Sequence, residues 1–252
     1  MPRKAREVSA LQIYHVVVKG ADRQVMFEET RDYQKYIDIL EYYQEECHFE
    51  LYAYCLMSNH VHLIIHVNEM PLSSIFRRIN TTYAGWFNAK YNRTGFLQDG
   101  RYFSEAINTT DYLMSAINYI HHNPAKAGLE NFPGQKYKWS SYNQFFEAVP
   151  RLIDSEFVLS VFGNINNFME FHNQKPSDEI LDIERMRKHL PDDTARNIIF
   201  EISKCSDSTE FQALPLKKRN EYIRLIHEKG VSTRQLNRLT GISRGIIERN
   251  LM

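Results

Sequence analysis

Between Tyr54 and His66 the chain reads Tyr-Cys-Leu-Met-Ser-Asn-His-Val-His-Leu-Ile-Ile-His, two apolar extended runs joined by a short polar turn. The second run constrains the fold most, because it has two unlike faces. A strand rises about 3.3 Å per residue and alternates sides, so His60 and His62 point the same way with Cα atoms roughly 6.6 Å apart. At that separation two imidazoles can converge on one divalent ion at about 2.0–2.2 Å each. Val61, Leu63, Ile65 and Val67 form the other face and need a core to pack on. A half-exposed strand with two surface histidines would show the same pattern, so the pair alone leaves both readings open.

The surrounding chain predicts a repeat of strand and helix. Leu11–Val18 is a strand, rich in β-branched residues, and Lys19–Gln24 is a polar loop whose Lys19 and Arg23 could touch phosphate or bases, or simply be solvated. Thr30–Glu46 is a helix capped by Thr30, with apolar residues at Tyr33, Tyr36, Ile37, Leu40 and Tyr43. After the histidine hairpin, Pro71–Asn92 is a second helix. Its apolar stripe runs from Leu72 to Phe87, and Arg77 and Arg78 lie off it, either as a solvated face or as DNA contacts. Asp99-Gly100-Arg101-Tyr102 turns the chain into a fourth strand, and a third helix runs from Asp111 to about His122, ended by Asn123-Pro124. Strand, helix, strand, strand, helix, strand is the ferredoxin-like order: an α+β fold, an antiparallel sheet with helices on one face.

The third helix carries Tyr112, Ala116, Tyr119 and Asn123 on one stripe. Tyr119 could be a core tyrosine and Asn123 a cap for the Pro124 turn. Beside a metal on the histidine face, however, they would add a phenol nucleophile and a third ligand. A phenol of ordinary pKa near 10 needs an activated target, which a cation bound to a phosphate provides. A phosphotyrosine product conserves the phosphodiester energy, so rejoining needs no nucleotide cofactor, and the chain contains no GxxxxGK[ST] loop.

The segments Tyr54–Ile64, Gly100-Arg101-Tyr102, Tyr119-Ile-His-His-Asn123-Pro-Ala-Lys-Ala-Gly-Leu129 and Trp139-Ser-Ser-Tyr142 resemble, in order and spacing over about residues 10–145, the single-tyrosine HUH transposases. Within that family the resemblance is to the REP-associated tyrosine transposases. It implies that His60 and His62 bind Mg²⁺ or Mn²⁺, that Asn123 stands where relatives place a third polar ligand, and that Tyr119 attacks single-stranded, hairpin-forming DNA to leave a 5′-phosphotyrosine and a free 3′-OH. It also implies that the loop 19–24 reads a short guide sequence beside a hairpin; Arg101, within the matching Gly100-Arg101-Tyr102, is a further candidate DNA contact. The protein would act as a monomer or homodimer. Two other classes remain: a DNA-binding regulator keeping the fold without turnover, and a metal phosphoesterase that uses water.

Net charge is zero, but the charges are segregated: −4 over residues 1–70, +4 over 71–140, −6 over 141–213 and +6 over 214–252. Two basic blocks suggest two surfaces for a polyanion. Residues 143–176 read as irregular, which gives a HUH domain over 1–145, a linker over 146–177 and a small all-α domain over 178–252. In the last, helices over Leu214–Glu228, Ser232–Leu239 and Ser243–Leu251, with Thr240-Gly241-Ile242 between the final two, have helix-turn-helix spacing. Arg244 and Arg249 would then lie on a DNA-recognition helix; a three-helix protein-interaction module is the other reading. Three cysteines without CxxC spacing, no apolar run of about 20 residues and no signal-peptide core lead us to expect a reduced, cytoplasmic protein without a membrane segment.

Overall fold

The computed structural model describes residues 7–176 and 192–251, with the side chains of Arg23 and Arg234 excepted. The chain divides into two compact units, Met1–Leu181 and Asp182–Met252. Residues 178–191, the first part of the expected C-terminal domain, lie outside the described residues. Among the described residues no helix is long and apolar enough to cross a membrane.

In the first unit β1 (Ile13–Lys19), α1 (Thr30–Cys47), β2 (Phe49–Met57), β3 (His60–Val67), α2 (Leu72–Lys90) and β4 (Phe103–Ile107) follow in the expected order. The sheet runs β2-β3-β1-β4, antiparallel at every pairing, so the architecture is the ferredoxin-like α+β one. Ser58-Asn59 makes the turn between β2 and β3. Register follows from the hydrophobic alternation, since a slip of one residue would turn every imidazole into the opposite face. Val17 pairs with His62, Lys19 with His60 and Val17 again with Phe103, which puts these side chains on one side.

Both faces of the sheet are covered, where one-sided cover was expected. α3 (Thr110–Lys126) lies over the histidine side: Tyr112 bonds Glu105, and Tyr119 meets His15 and His62. On the other side Val16, Val61, Leu63 and Ile65 are fully buried. Phe76 of α2 meets Tyr102, one step out of phase with Phe103, at 4.7 Å between ring centroids. α1 and α2 join through Tyr36 and Tyr83 at 4.9 Å.

Three local expectations are corrected. Lys19 is the last residue of β1, buried beside His60, because the β1–β3 ladder continues to the hairpin turn. The N-cap of α1 is Glu29, one residue before Thr30, with Asp32 accepting from the Glu29 N–H at 3.0 Å. α3 does not stop at Asn123; it runs through Pro124 to Lys126. A proline inside a helix costs about 3 kcal/mol, partly because it withholds an N–H from the carbonyl four residues back. Here that carbonyl belongs to Ile120, and the Asn123 side-chain amide donates to it at 3.4 Å and to Tyr119 O at 3.0 Å.

Residues 143–176, read as an irregular connection, are also structured. α4 (Ser155–Phe162) and α5 (Ile165–His172) are capped by Asp154 and Asn164, and Val158, Phe162 and Phe168 join the core of the first unit. Each helix has only eight residues, short enough for its periodicity to escape a sequence window.

The second unit contains α6 (Asp192–Ser203), α7 (Ser208–Ala213), α8 (Leu216–Glu228), α9 (Thr233–Thr240) and α10 (Arg244–Leu251). Ser232 caps α9 with Gln235 in a capping box, and Gly241, at φ +69°, ends it. Ile199, Phe211, Ile223, Ile226, Leu236, Ile242 and Ile247 share its core.

Candidate active site

Strand register brings four aromatic side chains together. His60 and His62 have ring centroids 5.0 Å apart. Tyr119 descends from α3 edge-on to His62 at 5.8 Å and to His15 at 6.2 Å. Tyr119 and His62 are each only 1 % exposed. The helix that carries Tyr119 is held over the sheet by Leu113, Ala116, Ile117 and Ile120, all buried, as its apolar stripe predicts.

A hydrogen bond fixes which nitrogen His60 presents. His60 Nδ1 lies 2.7 Å from Asn59 Oδ1; a carbonyl oxygen only accepts, so Nδ1 carries the proton and Nε2 the lone pair of the neutral ring. His62 Nδ1 lies 3.0 Å from His15 Nε2, while His62 Nε2 is buried without a hydrogen-bond partner. An N–H pointing into that space would be an unsatisfied buried donor. His15 Nδ1, at the far end of the pair, is buried without a hydrogen-bond partner too, so either arrangement of the shared proton leaves one outer N–H unmet; with His62 Nδ1–H donating to His15 Nε2, it is His62 Nε2 that is bare. Burial, then the neighbouring His60, His15 and Lys126, holds the His62 pKa well below the ordinary imidazole value, so the ring is neutral at pH 7.

Lys126 places its ammonium over the Tyr119 ring, 4.1 Å from the centroid. Its exposed position lets it keep its hydration on one side while presenting positive charge to the phenol on the other. Tyr112, the other phenol on this stripe, is bonded to Glu105 of β4. Asn123 sits one turn beyond Tyr119 and is buried; its amide nitrogen faces its own helix, as described above, so only its carbonyl oxygen could serve as a ligand.

The remaining expected contacts are dispersed. Lys19 flanks His60, its ammonium 4.3 Å from the centre of the Phe103 ring. Arg23 belongs to the short 3-10 turn Ala21–Arg23. Arg101 is exposed at the entry to β4. Arg77 and Arg78 are exposed on α2, in the layer opposite Tyr119. In the second unit Arg244 pairs with Glu248 at 3.3 Å and Arg249 donates to Gly245 O at 3.0 Å, both exposed on α10.

Three residues of the site escape a reading of the sequence: His15, Asn59 and Lys126. His15 has the parity of Val17, which faces His62, so only strand pairing identifies it. Asn59 directly precedes His60, and a side-chain carbonyl there is a readable signal. Lys126 is seven residues after Tyr119, two helical turns, and Pro124 hides it by suggesting an earlier end to the helix.

Residues 8–123 match the family model described as transposase IS200 like. This stretch, which is similar to an IS200-like transposase domain, contains both histidines and Tyr119. Among solved structures, the fold is that of a REP-associated tyrosine transposase bound to a REP hairpin, at 20% identity and a TM-score of 0.51, over 58% of this chain and 86% of that one. A candidate transposase from Deinococcus radiodurans aligns at 18% identity and a TM-score of 0.33, over 44% of this chain and 90% of that one. No curated protein matches the chain.

Proposed function

We propose that this protein is a metal-dependent transposase that nicks and rejoins single-stranded, hairpin-forming repeat DNA through a phosphotyrosine on Tyr119. The observation that carries this reading is the Tyr119 phenol set edge-on to an imidazole whose buried Nε2 has no hydrogen-bond partner among the described residues. The IS200-like domain and the fold shared with a REP-hairpin-bound transposase support it. In the reaction a Tyr119 Oη–P bond forms as the P–O3′ bond breaks; the phenol loses its proton, the departing 3′ oxygen gains one, and the 3′-OH reverses the step on rejoining. Lys126 would stabilise the charge that develops on the phenol as that proton leaves.

Among the described residues no group of three or more His, Cys, Asp or Glu is placed to hold a metal. The donors present still suit a divalent cation: two imidazoles that can each offer an Nε2 lone pair, and the Asn123 carbonyl oxygen. When bound, Mg²⁺ or Mn²⁺ would polarise the scissile phosphate. Asn59 and His15 are then the partners that hold both rings in the ligating tautomer. Titrated with Mn²⁺ and followed by electron paramagnetic resonance, His62→Ala should lose the tight site. His15→Leu should bind about 10- to 100-fold more weakly. His15→Gln, which can offer an acceptor where Nε2 stood, should recover most of the loss. Equal affinity for wild type and His15→Leu would remove His15 from this role.

The direct test of the function is incubation with a single-stranded hairpin oligonucleotide and Mn²⁺, followed by denaturing electrophoresis. A protein–DNA adduct is expected. Nicking without an adduct would point to a water-using phosphoesterase, and binding without nicking to a regulator.

We further propose that α9 and α10 form a helix-turn-helix that adds affinity for DNA, supported by the +6 charge of residues 214–252 and the buried Ile242 between the helices. Because these helices share a core with α6 and α7, substitution tests this better than truncation. Arg244→Ala with Arg249→Ala should lower the slope of log affinity against log salt by about 0.7–0.9 for each phosphate that these arginines neutralise. An unchanged slope would favour a protein-interaction module.

A further inference from the structure

Phe96 is 89 % exposed, the most open large apolar side chain among the described residues. A lone exposed apolar residue is ordinary on a mobile loop. This loop is pinned at every side. The Gln24 side-chain amide donates to Phe96 O at 2.9 Å and Leu97 O at 2.6 Å, and Asn88 Nδ2 donates to Gly95 O at 3.0 Å. Ala21 N–H donates to Leu97 O at 3.0 Å, Asp99 N–H to Lys19 O at 2.8 Å, and Leu97 itself is buried. Gly20 permits this junction: a Cβ there would meet Gln24 O at 2.1 Å. The backbone therefore holds the Phe96 ring out in water.

Its location supplies the reason. Lys19 pairs with His60, and one residue further on Gly20 bridges to Gln98, so the loop carrying Phe96 continues from the strand end where His60 stands. The chain segments 19–24 and 92–101 that form this end carry Lys19, Arg23, Arg93 and Arg101 against Asp22 and Asp99. A rigid, solvent-facing ring among basic residues matches the way proteins hold unpaired strands, with cations along the backbone and aromatic rings under the bases.

We propose that Phe96 is a stacking platform for an unpaired nucleobase in the strand beside the hairpin. The inference rests on the reading that the protein takes single-stranded DNA. A base laid on the ring would cover apolar surface at little conformational cost, because the loop is already ordered. Stacking is indifferent to base identity, so the site would fix the strand's path rather than read its sequence.

Binding by the full chain of three probes tests this: a hairpin with an unpaired flank, the same hairpin without it, and the hairpin with an abasic flank. Phe96→Ala should weaken binding of the flanked hairpin by about 5- to 100-fold. It should leave the unflanked hairpin and the salt slope unchanged. The abasic flank should reproduce the loss in wild type, and Phe96→Trp should retain affinity with its fluorescence quenched by DNA. Equal binding of the flanked probe by wild type and Phe96→Ala overturns the proposal, as does an altered oligomeric state with DNA affinity unchanged, which would make the ring a protein contact. If wild type binds none of the probes, the DNA-processing reading itself falls, and this inference with it.

Discussion

Tyr119→Phe is expected to bind a single-stranded hairpin oligonucleotide as tightly as wild type and to form no covalent adduct. The substitution removes one oxygen and keeps the ring, so the edge contacts to His15 and His62 and the Lys126 ammonium over the ring face should all persist. On the proposed mechanism, metal and DNA binding should not need the hydroxyl as a principal ligand. The covalent step does, and removal of an essential nucleophile costs on the order of 10⁴-fold or more in rate. Tyr112 is poorly placed to substitute, since its phenol is engaged with Glu105. The measurement is adduct and nicked product by denaturing electrophoresis, with affinity determined in parallel. Nicking at a rate near wild type would make water the nucleophile and the protein a hydrolytic phosphoesterase.

Acid should destabilise the first unit well before its carboxylates titrate. His121 is fully buried, with Nδ1 2.8 Å from His172 Nε2 and Nε2 2.9 Å from Ser141 Oγ. His172 Nδ1 lies 2.7 Å from Phe168 O, which only accepts, and the Tyr54 N–H donates to Ser141 Oγ at 2.9 Å. With both rings neutral, one proton arrangement satisfies the chain: His172 donates to Phe168 O, His121 to His172, and Ser141 to His121. An added proton at His121 Nε2 would have to displace the Ser141 hydroxyl onto Tyr54 O, 3.2 Å away, and would leave a charge in a buried site. Burial pushes the His172 pKa down to about 3, and burial, then the neighbouring His172 and His122, pushes His121 well below its usual range.

Because these folded-state values are depressed, the unfolded chain takes up protons near pH 6.5 while the native protein does not. Stability is therefore fully present above about pH 6.5 and declines below it, at up to about 1.4 kcal/mol per pH unit for each histidine. Asp32, whose burial is outweighed by hydrogen bonds from Lys90 and Tyr91 so that its pKa is lowered, contributes only below its ordinary value of 3.8. The window from about 6.5 to about 4.5 thus belongs to the histidines. Both tryptophans, Trp86 and Trp139, lie in the first unit, so urea midpoints followed by their fluorescence report it selectively. A midpoint unchanged between about pH 7.5 and about pH 5 would contradict the buried neutral assignment. His172→Phe should flatten the dependence.

Much of this is legible from residues alone, for physical reasons. Period-two alternation in β3 is so strong that the shared face of His60 and His62 follows from it, and the helical stripes of α1, α2 and α3 are buried where expected. What escapes depends on interactions between distant segments. His15 becomes part of the site only through its pairing across β1 and β3. Lys126 and the full length of α3 are hidden by Pro124, whose usual meaning is overridden by the Asn123 side chain supplying the missing donor. α4 and α5 are hidden by brevity, and their place is set by aromatic packing around Phe168 rather than by propensity.

The near-complete burial of Tyr119 has a consequence for timing. With α3 held on the sheet as it stands, the phenol would be kept from any phosphodiester, since a solvated anion cannot reach a side chain buried under a helix. Reaction would thus wait on a parting of α3 from the sheet. Its rate would then depend on how readily that seam opens, as well as on how readily the 3′ oxygen departs.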